Sequence, residues 1–282
     1  MPGIKKIHKA EYRPVADLIT YSPMPTRELQ IIDPFLFLNH HGPQKYAPNN
    51  NGLPFGPHRG METVTFILEG DIAHKDSDGH KSVIQSGGVQ WMTAGSGLIH
   101  SEVSSEEFKK HGGNLEILQL WLNLPAKSKM IKPQYKGFQK DEIPNISFDE
   151  GKITAQVVSG DFRGTKGAFQ TSTKVNLATI YFKETGKLDL NVPTENNIFF
   201  YVIKGELLIN KNQIKALNLA EFENDGENLT IEAPTESILF FGHAAPLNEP
   251  VVARGPFVMN SMDEIHQAYR DYEAGKFGEW KE

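Results

Sequence analysis

The chain of 282 residues contains no cysteine. Disulfides, thiolate zinc sites, iron–sulfur clusters and cysteine nucleophiles are therefore excluded, and any metal must be held by nitrogen and oxygen. No run approaches the ~20 apolar residues of a transmembrane helix. The opening Met1-Pro2-Gly3-Ile4-Lys5-Lys6 lacks the apolar core of a secretory signal. A cytoplasmic protein with no membrane partner is expected. Long basic stripes are missing too. Net charge is −6, and the small clusters Lys5, Lys6, Lys9 and Lys127, Lys129, Lys132 read as solvated surface. That argues against direct binding of nucleic acid.

What the chain does have is a succession of short β runs punctuated by glycine. Residues 62–68 (ETVTFIL), 71–75, 82–85 and 89–93 close in turn on Gly70, Ser77-Asp78-Gly79, Gly87-Gly88 and Gly95-Ser96-Gly97, and 98–103 follows. The run 114–124 (NLEILQLWLNL) is apolar on both faces, as a strand covered on both sides would be. Turn signals at this spacing mark a sandwich or a barrel. Residues 125–151, rich in Lys, Pro and polar residues, read as a connection between domains. Beyond them β runs resume. Residues 198–206 repeat the pattern of 62–71: an apolar strand, a polar residue, glycine, then an acid. The prediction is an all-β protein of two tandem β-barrels, 1–135 and 136–282, with a C-terminal helix. Ser261 would cap that helix with Glu264, and Ile265, Ala268, Tyr269 and Tyr272 would form its apolar face up to Gly275.

The histidines divide into two groups. His8, His74, His80, His111 and His266 read by default as surface or hydrogen-bonded residues, His74 lying beside an evident turn. His58 sits in Pro57-His58-Arg59-Gly60, and His100 and Glu102 sit in Gly97-Leu98-Ile99-His100-Ser101-Glu102. Residues two apart on a strand share a face. Two imidazoles and a carboxylate converging inside a barrel can hold a redox metal with open positions. Spacing alone leaves both a metal site and a chance juxtaposition open. Arg59 should point away from His58, toward a salt bridge with a loop.

The same segments resemble the cupin superfamily. His58-Arg59-Gly60-Met61-Glu62 is similar to the second half of the motif H-x-H-x3-E, and Gly97-Leu98-Ile99-His100 to G-x2-H. The resemblance is closer to the pirin family. It is carried by residues 57–65 (PHRGMETVT), 68–70 (LEG), 90–95 (QWMTAG), 97–102 (GLIHSE) and 255–260 (GPFVMN), and so spans nearly the whole chain. It implies a bicupin with metal, usually iron, in the N-terminal barrel only. His58, His100 and Glu102 match three of the four ligands. Fe(II) is the expected metal, with Ni, Mn, Co, Cu or Zn as substitutes. The C-terminal barrel has one histidine, His243, without clustered partners. Where the family's first histidine belongs, this chain has Gly56, either as a replacement or because a Pro-His pair is deleted there and Gly56 is out of register. Water, Glu62, His40 or His41 are the candidates to fill the gap, and weakened affinity could leave the purified site empty. The resemblance further implies a quercetin dioxygenase-like activity, opening a flavonol-like aromatic ring with O2. Glu102 would be the general base, and Phe66, Leu68, Trp91 and Met92 would in part line the pocket. A regulatory partner protein read through the metal's redox state, without turnover, is the alternative, and a cupin that has lost its metal is a third.

Overall fold

The structure, a computed structural model, describes residues 1–49 and 56–279. The chain forms two compact units, and neither is a continuous stretch. One comprises Pro14–Thr20, Phe37–Asp141 and Leu247–Glu282; the other comprises Met1–Arg13, Tyr21–Leu36 and Glu142–Pro246. The expected division at 135/136 therefore differs from the observed one at both ends of the chain. The helix Met262–Glu273 belongs to the unit that carries His58, and the strand Ile4–Lys9 belongs to the other, paired with Asn218–Phe222. Nothing local in the sequence signals these exchanges, because long-range pairing makes them.

In the unit with His58, one sheet runs in the order Gln134–Phe138, Val89–Thr93, Met61–Glu69, Gly113–Asn123 and the later part of Phe35–Tyr46. The other runs Gly56–His58, Leu98–Val103, Asp71–Asp76, Lys81–Gln85. The predicted connection at 125–151 is partly strand. Gln134–Phe138 pairs along Val89–Thr93, and Asn145–Phe148 pairs with Ile153–Ser159 in the other unit. Both are sheet-edge strands that keep several residues exposed, which is why their composition reads as polar linker.

The other unit repeats the plan. A long sheet includes Asn218–Phe222, Asn197–Lys204, Ser237–Ala244, Asn176–Phe182 and Ile153–Ser159, and a second includes Lys187–Asn191, Asn228–Glu232 and Glu206–Ile209. Its interior is one apolar cluster that includes Ile180, Phe182, Phe200, Val202, Leu239 and Phe241. The sequence repeat is a structural one. Gly70 and Gly205 end corresponding strands with φ of 84° and 78°. A Cβ there would lie 2.7 Å from the Asn114 carbonyl and 2.3 Å from the Glu236 carbonyl, so only glycine fits either turn. Among the described residues no helix is long and apolar enough to cross a membrane.

Two histidines outside the candidate centre make stability pH-dependent. Burial lowers both His41 and His243 to about 4, with His40 adding to the effect at His41. The unfolded chain binds these protons near pH 6.5 and the folded chain does not, so stability falls as pH drops from 6.5 toward 4. Each can contribute up to roughly 3 kcal/mol across that window. Urea unfolding at pH 7 and pH 5 should show the loss, and His41→Gln should reduce its slope. An unchanged slope in that variant would mean that His41 is not a source.

Candidate metal centre

Register brings the candidate residues to one face. On the smaller sheet His100 lies directly opposite Gly56 on one side and Asp76 on the other. His58 lies opposite Leu98, and Glu102 opposite His74. Directly opposed residues project to the same side of a sheet, as do residues two apart. Gly56, His58, His74, Asp76, His100 and Glu102 therefore share one face. The His58 and His100 ring centroids are 4.9 Å apart, and those of His74 and His100 are 5.6 Å apart. One potential ligand atom each from His74, His100 and Glu102 falls within 4.8 Å of the other two, and all three residues are buried.

The facing sheet supplies the support. Thr65 lies opposite both Gln90 and Gln119 on its two neighbouring strands. This row of three donors converges on Glu102. Thr65 Oγ1 donates to Oε1 at 3.0 Å, Gln119 Nε2 donates to Oε2 at 2.6 Å, and Gln90 Nε2 also donates to Oε1. The next row holds Met92, Thr63 and Trp121. Trp121 meets the His58 ring edge-on at 5.1 Å and stacks on Phe37 at 4.5 Å. Of the residues expected to line the pocket, only Met92 shares this face. Phe66 and Trp91 alternate to the far side with Val64, as does Leu68 along its strand.

The candidates to replace the missing histidine lie elsewhere. Glu62 accepts from Thr93 Oγ1 at 2.7 Å on that far side, and burial raises its carboxyl to about 7. It would share a face with His58 only on an unbroken strand. Gly60 (φ 77°) breaks the strand, passing the chain from the His58 sheet to the other one. His40 bonds Glu116 at 2.8 Å, and His41 bonds Thr20 at 2.8 Å. Gly56 is itself in register, and among the described residues a Cβ there would meet nothing within 4 Å.

Arg59 does point away from His58, but its partner is a helix rather than a loop. It donates to Asp271 Oδ2 at 2.8 Å and to the Ser96 carbonyl at 2.7 Å, and its guanidinium lies 4.6 Å from the centre of the Phe277 ring. Lys129 Nζ donates to the carbonyls of Gly60 (2.8 Å) and Val258 (3.1 Å) and to Asn123 Oδ1 (2.6 Å). The His58 segment is thereby fixed from behind. Sequence reasoning missed Asp271, which is buried with Ile265 and Ala268, whereas Tyr269, expected on the apolar face, is exposed.

The electrostatics suit metal ligation. Burial lowers His58 to about 4, against a partial offset from its hydrogen bond to the Pro256 carbonyl. Burial, with His58 and His74 nearby, holds His100 well below its ordinary value. Both rings are thus neutral, the form that binds metal. Burial pushes Glu102 upward, and His74, Thr65, Gln90 and Gln119 oppose it. Nδ1 of His74 and Nδ1 of His100 are buried without a hydrogen-bond partner among the described residues. Orphaned ring nitrogens beside a carboxylate form a nitrogen–oxygen donor set of the kind that takes Fe(II) or a similar divalent ion. Among the described residues, no other His, Asp or Glu group clusters this way, and His243 in the second unit is 2.8 Å from the Asn196 amide.

Two antiparallel barrels, the first with a His- and Glu-lined interior and the second filled with apolar side chains, define a cupin pair with one candidate metal centre. Residues 17–122 match the Pirin family model, and residues 177–278 match that of the Pirin C-terminal cupin domain. Pirin-1 of Arabidopsis thaliana is 38% identical over 256 residues, covering 88% of this chain and 85% of its own. A Pseudomonas aeruginosa protein, provisionally named a quercetin 2,3-dioxygenase, is 35% identical over 266 residues, covering 94% of this chain and 92% of its own. The crystal structure of quercetin 2,3-dioxygenase from Acinetobacter baumannii superposes with a TM-score of 0.93 at 34% identity, covering 99% of each chain. The chain belongs to the pirin family.

Proposed function

We propose that this protein is a metal-dependent dioxygenase that opens a flavonol-like ring with O2. His58, His100 and Glu102 would hold the metal, with Fe(II) preferred. The observation that carries the proposal is the set of neutral, buried imidazoles beside a buried carboxylate on one barrel face. The bound metal would supply Lewis acidity to the substrate's hydroxyl and a redox couple for O2.

The chain's own residues would do the rest. Trp121, Phe37 and Tyr135 are half-buried, whereas His58, His100 and Glu102 are buried, so aromatic surface borders the centre on its more open side. A flat aromatic substrate packs favourably against such rings. Glu102 would take the proton of the flavonol 3-hydroxyl. Of its three donors, Thr65 is the hydroxyl. A hydroxyl can turn from donor to acceptor, so Thr65 can receive the new proton's hydrogen bond while the two glutamines keep the carboxyl oriented.

Thr65→Val should remove a bond to the charged form and raise the Glu102 pKa further. The acid limb of the kcat profile should then move to higher pH. An unmoved limb would remove Thr65 from the proton path. For the activity itself, metal-free protein reloaded with Fe(II) should consume O2 only when a flavonol is present and should release carbon monoxide. No uptake with any flavonol would defeat the proposal.

A further inference from the structure

His74 reads from the sequence as a histidine beside a turn, yet its side chain is fully enclosed (0% exposed). We propose that His74 is a metal ligand, supplying the imidazole that position 56 lacks, with Asp76 as its orienting carboxylate. This rests on the reading of His100 and Glu102 as metal-holding residues.

The first support is placement. Gly56 flanks His100 on one side, and the Asp71–Asp76 strand flanks it on the other. His74 stands opposite Glu102 on that strand, so an imidazole reaches the centre from the neighbour across His100. Its ligand atom lies within 4.8 Å of those of His100 and Glu102.

The second is the tautomer. His74 Nε2 is 3.0 Å from Asp76 Oδ2. Asp76 Oδ1 also accepts the backbone N–H groups of Asp78 and His80, each at 3.0 Å, and the His80 ring lies against both of its oxygens. A carboxylate that already accepts two backbone N–H groups is the acceptor toward His74 as well, so Nε2 carries the hydrogen and Nδ1 the lone pair. That Nδ1 is buried and has no hydrogen-bond partner among the described residues. Histidines that bind metal almost always donate their other ring N–H to such a group.

The third is rigidity. The Tyr135 ring stacks on His74 at 3.9 Å and 12°. Its hydroxyl donates to Gln90 Oε1 at 3.0 Å, and the Gln90 amide donates to Glu102. One chain of contacts thus fixes both the His74 ring plane and the carboxylate.

Co(II) titration of the full-length apoprotein, in competition with a chelator, tests this. His74→Ala should weaken Co(II) binding by more than the ~10–100-fold that loss of a ligand's hydrogen-bonding partner costs, and should shift the d–d bands. Adding Gly56→His to that variant should recover most of the loss. Unchanged affinity and spectrum in His74→Ala, with binding lost in His100→Ala, would overturn the His74 assignment alone. Unchanged binding in both His100→Ala and Glu102→Ala would overturn the metal reading beneath it. Pulsed EPR of Cu(II)-loaded wild-type protein needs no variant. It should count three coordinated imidazoles, and a count of two would overturn the proposal.

Discussion

Glu102→Gln is expected to lower flavonol-dependent O2 uptake by at least ~10²-fold, the scale of a lost general base. Three effects act together. The amide cannot accept the substrate proton. It binds a divalent metal less well than a carboxylate does. It also brings its own N–H group against donors that now converge on two carboxylate oxygens. Thr65 can turn its hydroxyl, but one of the two glutamine amides must then lose its acceptor. Steady-state O2 consumption with bound metal measured in parallel separates the first effect from the second. A variant that keeps both its metal and its rate would show that Glu102 neither ligates nor accepts the proton. A control is built into the site, because Glu62 is equally buried but lies on the opposite sheet face. Glu62→Gln should leave metal content unchanged.

Arg59→Ala should produce the largest loss of stability of any single change near the centre. It removes one of the side-chain partners of Asp271, leaving Lys276 and Gln267, opens a space beside Phe277 and frees the Ser96 carbonyl. The lost ion pair, ring contact and carbonyl donor act together, and a drop of several degrees in the melting temperature of this unit should follow. Arg59→Lys should recover little, because an ammonium cannot serve the carboxylate, the carbonyl and the ring face together. Lys276, Arg59 and Gln267 hold the Asp271 carboxyl well below its ordinary range. The contribution of this contact is complete above the unfolded carboxyl's value near 4 and is lost only as pH falls below it. A wild-type melting temperature in Arg59→Ala would show that the contact carries no stability.

The two sites of expected loss differ in how far the sequence revealed them. His58, His100 and Glu102 could be picked out because strand alternation is local: Gly97 and Gly95 mark where one strand begins, and two residues separate His100 from Glu102. His74 was hidden because its neighbours, Lys75 to Gly79, spell a turn, and only the register of Asp71–Asp76 on Leu98–Val103 turns it toward the centre. Glu62 misleads for the converse reason. Its spacing from His58 is right for one strand, but the chain changes sheets at Gly60 between them. The barrels and the C-terminal helix follow from turn residues and periodicity, and the helix does begin on the Ser261 cap. Its burial of Asp271 depends on Arg59, a residue 212 positions away, and no window along the chain contains both.

That separation also sets an order of events during synthesis. The ribosome makes His58 and Arg59 first, and Pro256 and Asp271, which hold their segment, emerge 198 to 212 residues after the groups they bind. The first barrel must therefore wait, partly formed, while the whole second barrel is made. The first strand, Ile4–Lys9, likewise waits for Asn218–Phe222. A nascent chain so arranged cannot finish its metal pocket early, and a fragment ending at the visible polar stretch near residue 135 would lack the back wall of that pocket. In the cell the centre is completed only after the second barrel has been made.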